Sequence, residues 1–429
     1  MKRNYQHAPS SARRKTAPHA EIEGWTPQVQ EGCFTLRLPL PALETLGKAQ
    51  HLLQRSAQAF GLLLAQAIME DEVQRLLASE GAQRWGHEEG SIVFGGQKVP
   101  VRRPRVRCGQ QEVPLESYGL LRRDEQLQDS VQGQVLRGVS TRDYQAGLAG
   151  GPDGHGTQRS SVSRRFVRAS NKQLTQLCER SLRQRRLVVL VIDGKSYRQQ
   201  TVVVALGIDE KGRKHVLGLW DGATENATVC QGLLDDLLRR GLDAQTLRLC
   251  LIDGSKALRL AIKRTFGAAM PVQRCQVHKQ RNVRDHLPPK WQGPAARRIR
   301  AAYGMTSHSE ALSALRQTVK WLRNLHEGAA RSLEEGLEET LTLHRLRVPP
   351  LLRESLSSTN VIESCFSRVE HLTRNVKRWR PGAMVRRWVA TMLLEAERTF
   401  RRIRGHQAMP LLLIALASDK KGKRQSATG

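Results

Sequence analysis

Two short apolar runs in this chain stop at the same dipeptide. Arg186–Gly194 reads RLVVLVIDG and Leu247–Gly254 reads LRLCLIDG. Both runs are short and bounded by polar residues, and the first is rich in β-branched side chains, so both read as buried strands. Open α/β sheets carry their sites at the carboxyl ends of strands, which makes Asp193 and Asp253 candidates for one shared site. Clustered carboxylates suit hard cations, Mg²⁺ or Mn²⁺. Two such ions can activate a water or a 3′-hydroxyl and stabilise the leaving oxygen of a phosphodiester. A single Asp-Gly is ordinarily a turn; it is the repetition that points to a site.

A third carboxylate is available in SSTNVIESCFSR, at Glu363. The same stretch fits a capping box, with Asn360 as N-cap and Glu363 three residues on. The two readings are compatible, because a first-turn glutamate is held by its helix. Glu370 is the next candidate on that helix face. A third Asp-Gly, Asp221-Gly222, ends a strand two positions from the first, roughly 10 Å away. Carboxylates sharing one Mg²⁺ must each reach it at ~2.1 Å, so Asp221-Gly222 reads as a turn. Cys275 and His278 have half of a zinc-site spacing, with no second pair at a suitable distance.

The elements that must position these residues follow from the pattern. Arg186–Asp193, Thr201–Gly207 and His215–Trp220 form three antiparallel neighbours, with a turn at Asp209–Gly212. A helix over Glu225–Leu242 leads to a fourth strand, Leu247–Asp253. A helix from Ser255 to Phe266 leads to a fifth, Val272–Cys275. A meander followed by two strands with helical crossovers resembles the ribonuclease H-like arrangement. There the first and fourth strands lie parallel at the sheet centre, ~4.8 Å apart, which would set Asp193 beside Asp253. Pro288–Pro350 has helical periodicity and reads as an insertion, followed by helices over Val361–Leu372 and Ala383–Arg404.

Seventy Lys and Arg against 40 Asp and Glu give a net charge of +30. That excess suits a polyanion, with a ribosome-like structural role or a solubility surface as the alternative. Seven scattered cysteines argue for free thiols in a reducing compartment. No apolar run approaches the ~20 residues of a membrane span. Residues 1–24 read as a disordered basic arm. Ala42–Leu77 is helical, and Ser91–Val113 is a hairpin whose Arg102, Arg103, Arg105 and Arg107 form a basic ribbon. Within Glu125–Ser170, Val131–Leu136, a turn at Gly138–Thr141 and Arg142–Leu148 look like a helix-turn-helix. Ser160–Ala169 reads as a recognition helix with Arg164 and Arg165 on phosphates. Arg281, Arg374, Lys377 and Arg378 are further DNA-contact candidates. Trp291 and Trp321 read as core before base-stacking platforms. Ser418–Gly429 reads as a disordered tail.

The expected division is therefore a basic arm at 1–24, a helical region with a small hairpin at 25–118 and a helix-turn-helix-like DNA-binding region at 119–180. The α/β catalytic domain follows at 181–287 and 351–410, split by the helical insertion at 288–350, with a basic tail at 411–429.

Four stretches, VIDGKSYR (191–198), LCLIDGSKAL (249–258), RCQVHKQRNV (274–283) and STNVIESCFSRVEHLTRNVKRWR (358–380), resemble Mutator-type bacterial insertion-sequence transposases of the DDE class. GVSTRDY (138–144) and VPVRRPRVR (99–107) add to the likeness, which spans about residue 60 to 410. The resemblance implies a ribonuclease H-like catalytic domain with a helical insertion, behind a mostly helical N-terminal DNA-binding region. It implies Asp193, Asp253 and Glu363 as the catalytic triad, holding two Mg²⁺ or Mn²⁺ ions. It assigns Cys275 and His278 a structural or DNA-contacting role beside the site. It further implies binding to terminal inverted repeats, metal-dependent cleavage of the ends and joining of 3′-hydroxyls to target DNA, in a bacterial cytoplasm and at the nucleoid. The alternatives are a transposase-derived DNA-binding protein without catalysis and another ribonuclease H-like nuclease.

Two element ends must be cut and joined together, so the resemblance implies a homo-oligomer on DNA. Mass photometry with terminal-repeat DNA is expected to show a dimer or larger assembly. A monomeric, one-end complex fully active in joining is the contrary result.

Overall fold

The computed structural model describes residues 26–30, 33–37, 49–78, 80–148, 155–197, 200–222, 226–373, 376 and 382–425. Side chains are described from Phe60 to Asp419 within those ranges, Leu372 apart. The expected arm at 1–24 and the contact candidates Arg374, Lys377 and Arg378 lie outside the described residues. The chain divides into two compact units, the first ending at Val131 and including 141–162, the second comprising 132–140 and the chain from Ser163 on.

In the first unit, β1 (Thr26–Gln30) pairs antiparallel with β2 (Cys33–Arg37). Helix α1 (Ala49–Leu77) carries Ala65, Met69 and Val73 at four-residue spacing, which places them on one buried face. That face covers an antiparallel sheet of β3 (Ala82–Phe94), β4 (Gln97–Cys108) and β5 (Gln111–Val113), in that order. Gly95 and Gly96, at φ +58° and +78°, make the tight turn between β3 and β4 that a right-twisted hairpin needs. The expected basic ribbon is engaged within this sheet. Arg103 pairs with Glu88 and with Glu112 (3.0 Å), and Arg105 pairs with Glu112 (2.6 Å) and lies over the Trp85 ring. Arg102 is exposed.

Helix α2 (Glu116–Leu121) starts where the Glu72 carboxylate accepts the Glu116 and Ser117 N–H groups. Then come α3 (Asp124–Leu136) and α4 (Arg159–Glu179). The expected helix-turn-helix is not formed. Arg142–Leu148 is a run of turns closing in a 3₁₀ turn at Ala146–Leu148. The buried Tyr144 hydroxyl donates to the Gly96 carbonyl (3.0 Å), tying this stretch to the hairpin turn. Arg137 to Gln158 separate α3 from α4, far more than the roughly 3–4 residues of a helix-turn-helix turn. The expected Ser160–Ala169 helix is the first half of the 21-residue α4, with Arg164 exposed and Arg165 half-buried.

The second unit is built on a mixed sheet of β6 (Leu187–Tyr197), β7 (Gln200–Asp209), β8 (Lys214–Gly222), β9 (Leu249–Ile252) and β10 (Val272–Arg274). Its order is β10-β9-β6-β7-β8. β6, β7 and β8 are antiparallel, while β9 runs parallel to both β6 and β10. Leu190 and Ile192 of β6, with Cys250 and Ile252 of β9, face α5 (Ala227–Arg239) and α6 (Lys256–Phe266) across one apolar core. Strand alternation then turns residues 191, 193, 251 and 253 to the other face. Asn226 and Ser255 cap α5 and α6 by accepting the Val229 and Leu258 N–H groups, so both helices begin where the strand ends demand.

Helices α7 (Gln276–Asp285), α8 (Pro289–Gly304), α9 (His308–Arg323) and α10 (Glu327–Glu334) form a second core, with Trp291 and Trp321 packed edge to face against it. The short α11 (Thr342–Arg345) and α12 (Pro350–Leu356) lead back to α13 (Asn360–Thr373), α14 (Ala383–Glu397) and α15 (Met409–Gln425). The expected disordered tail is thus helical through Gln425.

Asp221-Gly222 is not a turn. Both residues lie in β8, opposite Val202 and Thr201. Asp221 pairs with Arg386 of α14 (3.0 Å) and accepts from Gln200, whose side-chain oxygen accepts the Gly382 N–H (2.8 Å). The carboxylate therefore tethers α14 to the sheet edge. Asp221→Ala is expected to lower stability by on the order of 1 kcal/mol, read as an earlier urea midpoint with loss of amide protection at the start of α14. Unchanged protection there is the contrary result.

Candidate active site

β6 and β9 stay paired until Ile192 meets Ile252. Asp193 and Asp253 are the next residue of each strand, on neighbouring strands ~4.8 Å apart. They differ in setting. Asp253 follows the end of β9, is half-buried, and its Oδ1 accepts the Ser255 N–H (2.9 Å) in an Asx turn that leads into α6. Asp193 does not end its strand, since β6 continues to Tyr197 against β7. It is 4% exposed. Burial and the nearby Asp253 carboxylate push its pKa up to about 7, against the opposing pull of His278, the Thr359 hydroxyl and the Gly194 N–H.

The groups facing Asp193 come from two helix starts. Cys275 is the N-cap of α7, its Sγ accepting the His278 N–H (3.4 Å). The same sulfur accepts the Thr359 N–H (3.4 Å), just before α13, and the Gln276 N–H donates to the Ser357 carbonyl (2.9 Å). The Cys-x-x-His spacing is therefore a capping geometry that clasps two helix ends together. Burial acts to raise the Cys275 pKa, but the hydrogen bonds from His278 and Thr359 outweigh it and hold the thiol below its ordinary value.

His278 sits between the two helices. Its Nδ1 is 3.2 Å from Thr359 Oγ1 and its Nε2 is 3.1 Å from Glu363 Oε1. Its hydrogen bond with Cys275, followed by the charges of Cys275, Asp193 and Glu363, outweighs burial and raises its pKa to about 9. At neutral pH both ring nitrogens are then donors. Nδ1 donates to Thr359, which leaves the Thr359 hydroxyl hydrogen for Asp193, and Nε2 donates to Glu363.

Glu363 is not in a capping box. Asn360 is already helical, and the Glu363 N–H donates to the Thr359 carbonyl (3.0 Å). The carboxylate is turned to His278 instead. Glu370, two turns on, is exposed and paired with Lys195 (2.9 Å).

Among the described residues, one ligand atom each from Asp193, His278 and Glu363 lies within 4.8 Å of the others. The two carboxylates suit a divalent cation with oxygen preference, while His278, with both ring nitrogens protonated, has no lone pair to give it and stands as their hydrogen-bond and charge partner. Asp253 is not in that closest set; it stands beside it, and its charge acts to raise the Asp193 pKa. His278, expected only as a neighbour, is in the centre. The Cys-x-x-His motif was its one sequence signal. Thr359, inside the family-like stretch 358–380 but given no role from sequence, links His278 to Asp193. Arg281 is exposed one turn along α7 from His278, and the buried Lys279 anchors that helix by donating to the Ser332 (2.6 Å) and Glu335 (2.7 Å) carbonyls.

Comparison with known proteins gives a consistent result. The family model described as Transposase, Mutator family matches residues 49–402. The chain is 28% identical to the transposase for insertion sequence element ISRM5 of Rhizobium meliloti (strain 1021), over 73% of this chain and 80% of that protein. It is 26% identical to the transposase for IS905 of Lactococcus lactis subsp. lactis (strain IL1403), over 72% and 80% respectively. The transposase for ISRM3 of Rhizobium meliloti (strain 1021) matches at 25% identity over 77% and 83%.

The Asp193 environment has a measurable consequence. An acid whose folded pKa stands at about 7, above its ordinary 3.8, keeps its proton in the folded chain after the unfolded chain has lost it. Stability therefore falls as pH rises from about 4 to 7 and is flat above, as far as Asp193 contributes. In EDTA, Asp193→Asn is expected to stabilise the protein relative to wild type at pH 8, by on the order of 3 kcal/mol, and much less at pH 5. A difference independent of pH would contradict the burial argument.

Proposed function

The chain belongs to the Mutator family of transposases, and from that premise we propose that it cleaves the terminal inverted repeats of an insertion sequence and joins the freed 3′-hydroxyls to DNA by divalent-cation-dependent chemistry at Asp193, Asp253 and Glu363. The observation that carries this reading is the convergence of Asp193, Glu363 and His278 within 4.8 Å, beside Asp253, from elements far apart in sequence. We read the sheet as ribonuclease H-like: its central strand pair is parallel, and the meander of β6, β7 and β8 precedes the two crossover strands.

Asp193 and Glu363 would hold a Mg²⁺ or Mn²⁺ ion, with Asp253 supplying the oxygens of a second. Such a cation supplies Lewis-acid activation of an attacking oxygen and neutralises charge on the phosphodiester. The residues do the rest. The β6–β9 pairing fixes the spacing of the two aspartates. Thr359 and His278 fix the rotamers of Asp193 and Glu363, and His278 offers positive charge beside two carboxylates that would otherwise repel. Holding the reacting groups in place is itself a large part of the rate. Exposed Arg102, Arg164 and Arg281, with the half-buried Arg165, are proposed DNA contacts; Arg103 and Arg105 join them only if DNA displaces their glutamate partners. The protein is proposed to work as a homo-oligomer at the bacterial nucleoid. Among the described residues no helix is long and apolar enough to cross a membrane.

Linear DNA carrying the terminal repeats, with Mg²⁺, tests the assignment. Asp193→Asn, Asp253→Asn and Glu363→Gln should each abolish cleavage and joining while retaining DNA binding. Because the three act as one unit, double substitutions should be little worse than singles. His278→Ala should slow cleavage by about 10–100-fold, the usual effect of losing a group that orients a ligand. Near-normal Mg²⁺-dependent cleavage by Glu363→Gln would remove Glu363 from the site.

A further inference from the structure

The β7–β8 hairpin lies at the opposite end of the sheet from Asp193, next to the start of β6. A cleft of about 410 Å³ opens there, lined by Arg180, Arg185, Arg213, Lys214 and Arg402 with Glu397. Five cations face one carboxylate, and that carboxylate is already engaged. Glu397 pairs with Arg180 (3.0 Å) and accepts the Val216 N–H (2.7 Å). Asp209, near the rim, is engaged as well. It accepts the Lys211 and Arg213 N–H groups (2.9 and 2.8 Å), pairs with the Arg213 guanidinium (2.8 Å), and is met by His215 Nε2 (3.2 Å).

Arg185 and Lys214 remain without a carboxylate at ion-pair distance among the described residues. Arg185 donates to His215 Nδ1 (2.5 Å), which leaves Nε2–H to face Asp209. Lys214 Nζ lies 4.9 Å from the Phe400 ring centroid. Both are half-buried. Burial, then repulsion from Arg180, lowers the Arg185 pKa, and burial lowers that of Lys214. The cluster is also held in place. The Ile403 N–H donates to the Gly212 carbonyl (3.0 Å), and a Cβ at Gly212, which is at φ +72°, would come within 2.4 Å of His406 Cβ. Desolvated like charges fixed side by side are unfavourable unless an anion completes them.

We propose that this cleft binds a backbone phosphate of duplex DNA, at a distance from the phosphate that reacts. The distance follows from β6: six residues of strand separate Leu187, beside the cleft, from Asp193, about 20 Å in extended chain. One free phosphate would fill a single pocket. Here a second cleft of about 290 Å³ adjoins the first, sharing Arg185 and Arg213 and adding Arg186 and Lys211, with Glu210 3.8 Å from Arg186. Adjoining cationic clefts suit successive phosphates of a strand. This proposal rests on the reading that the chain acts on DNA.

The test uses the full chain and random-sequence duplex DNA across a salt series. Lys214→Gln combined with Arg402→Gln, and separately Arg185→Gln, should weaken binding and reduce the slope of log affinity against log salt by about 0.9 for each phosphate no longer neutralised. Single-turnover cleavage at saturating DNA should be unchanged. A matched charge loss in the helical insertion, Arg316→Gln with Arg331→Gln, should leave the slope intact; an equal fall there would reduce the effect to net charge and overturn the proposal. An unchanged slope in the cleft variants, with wild type still binding and cleaving DNA, would overturn it while leaving the proposed function standing. Inorganic phosphate raising the melting temperature of wild type but not of the cleft variants, with their DNA slope unchanged, would mark a free-anion pocket instead. Wild type that binds no DNA at low salt would defeat both readings.

Discussion

Asp193 is buried to 4% exposure on the central strand of the sheet, next to a second carboxylate. Ionising it there loses hydration that the strand replaces only with the Gly194 N–H (2.9 Å). The surrounding chain answers that constraint. The Gly194 N–H, the Thr359 hydroxyl and the His278 charge all act to lower its pKa, and they still leave it at about 7. On the proposed reading a divalent cation would complete the balance, so that the residues that make a costly place for a bare carboxylate would make a cation site.

Meeting that constraint dictates where two helices begin. α7 and α13 have their amino ends clasped by one sulfur, Cys275, which accepts a backbone N–H from each side of the junction. Helix amino ends favour negative charge, so a capping thiol, Glu363 in the first turn of α13 and the Asp193 carboxylate are electrostatically at home there. Between these helices the chain makes its long excursion through α8, α9 and α10. It returns in register because Gln273, fully buried on β10, donates to the Thr340 carbonyl (2.8 Å) and accepts the Leu343 N–H (3.1 Å). Arg274 and Arg259 add ion pairs to Glu339 (2.7 and 2.6 Å). The insertion thus interrupts the sequence of the site without disturbing its geometry.

The net charge of +30 is distributed unevenly in function. Arg103 and Arg105 are balanced across β-strands, Arg240 is buried against the Leu177 and Leu217 carbonyls, and Lys279 anchors the C-terminal end of α10. The proposed contacts for a polyanion are therefore exposed cations such as Arg281 on α7, together with the hairpin cleft at the far end of the sheet. Composition counts all of these alike; burial and pairing separate them.

The strands, both aspartates and the helix bearing Glu363 were legible in the sequence because each depends on local pattern: a β-branched run, Asp-Gly repetition, and helical periodicity over Asn360–Thr373. The three-strand meander followed from short hairpins, while the place of the fourth strand beside the first came from the resemblance to the ribonuclease H-like arrangement. The remaining features depend on residues distant in sequence coming together. Asp221 reads locally as a turn, but Arg386 and Gln200 reach it only once α14 packs on the sheet. Arg142–Leu148 has enough helical character to be mistaken for a helix, yet the hydrogen bond from Tyr144 to Gly96 holds it in turns. Asn360 and Glu363 match a capping box, but His278 draws the glutamate away. Thr359 sits in the family-like stretch 358–380, but nothing local gives it a role until Asp193 and His278 stand on either side of it. Local pattern set which residues could ionise and which strands they ride on; tertiary packing decided which of them meet, because burial and charge pairing are properties of neighbours in space.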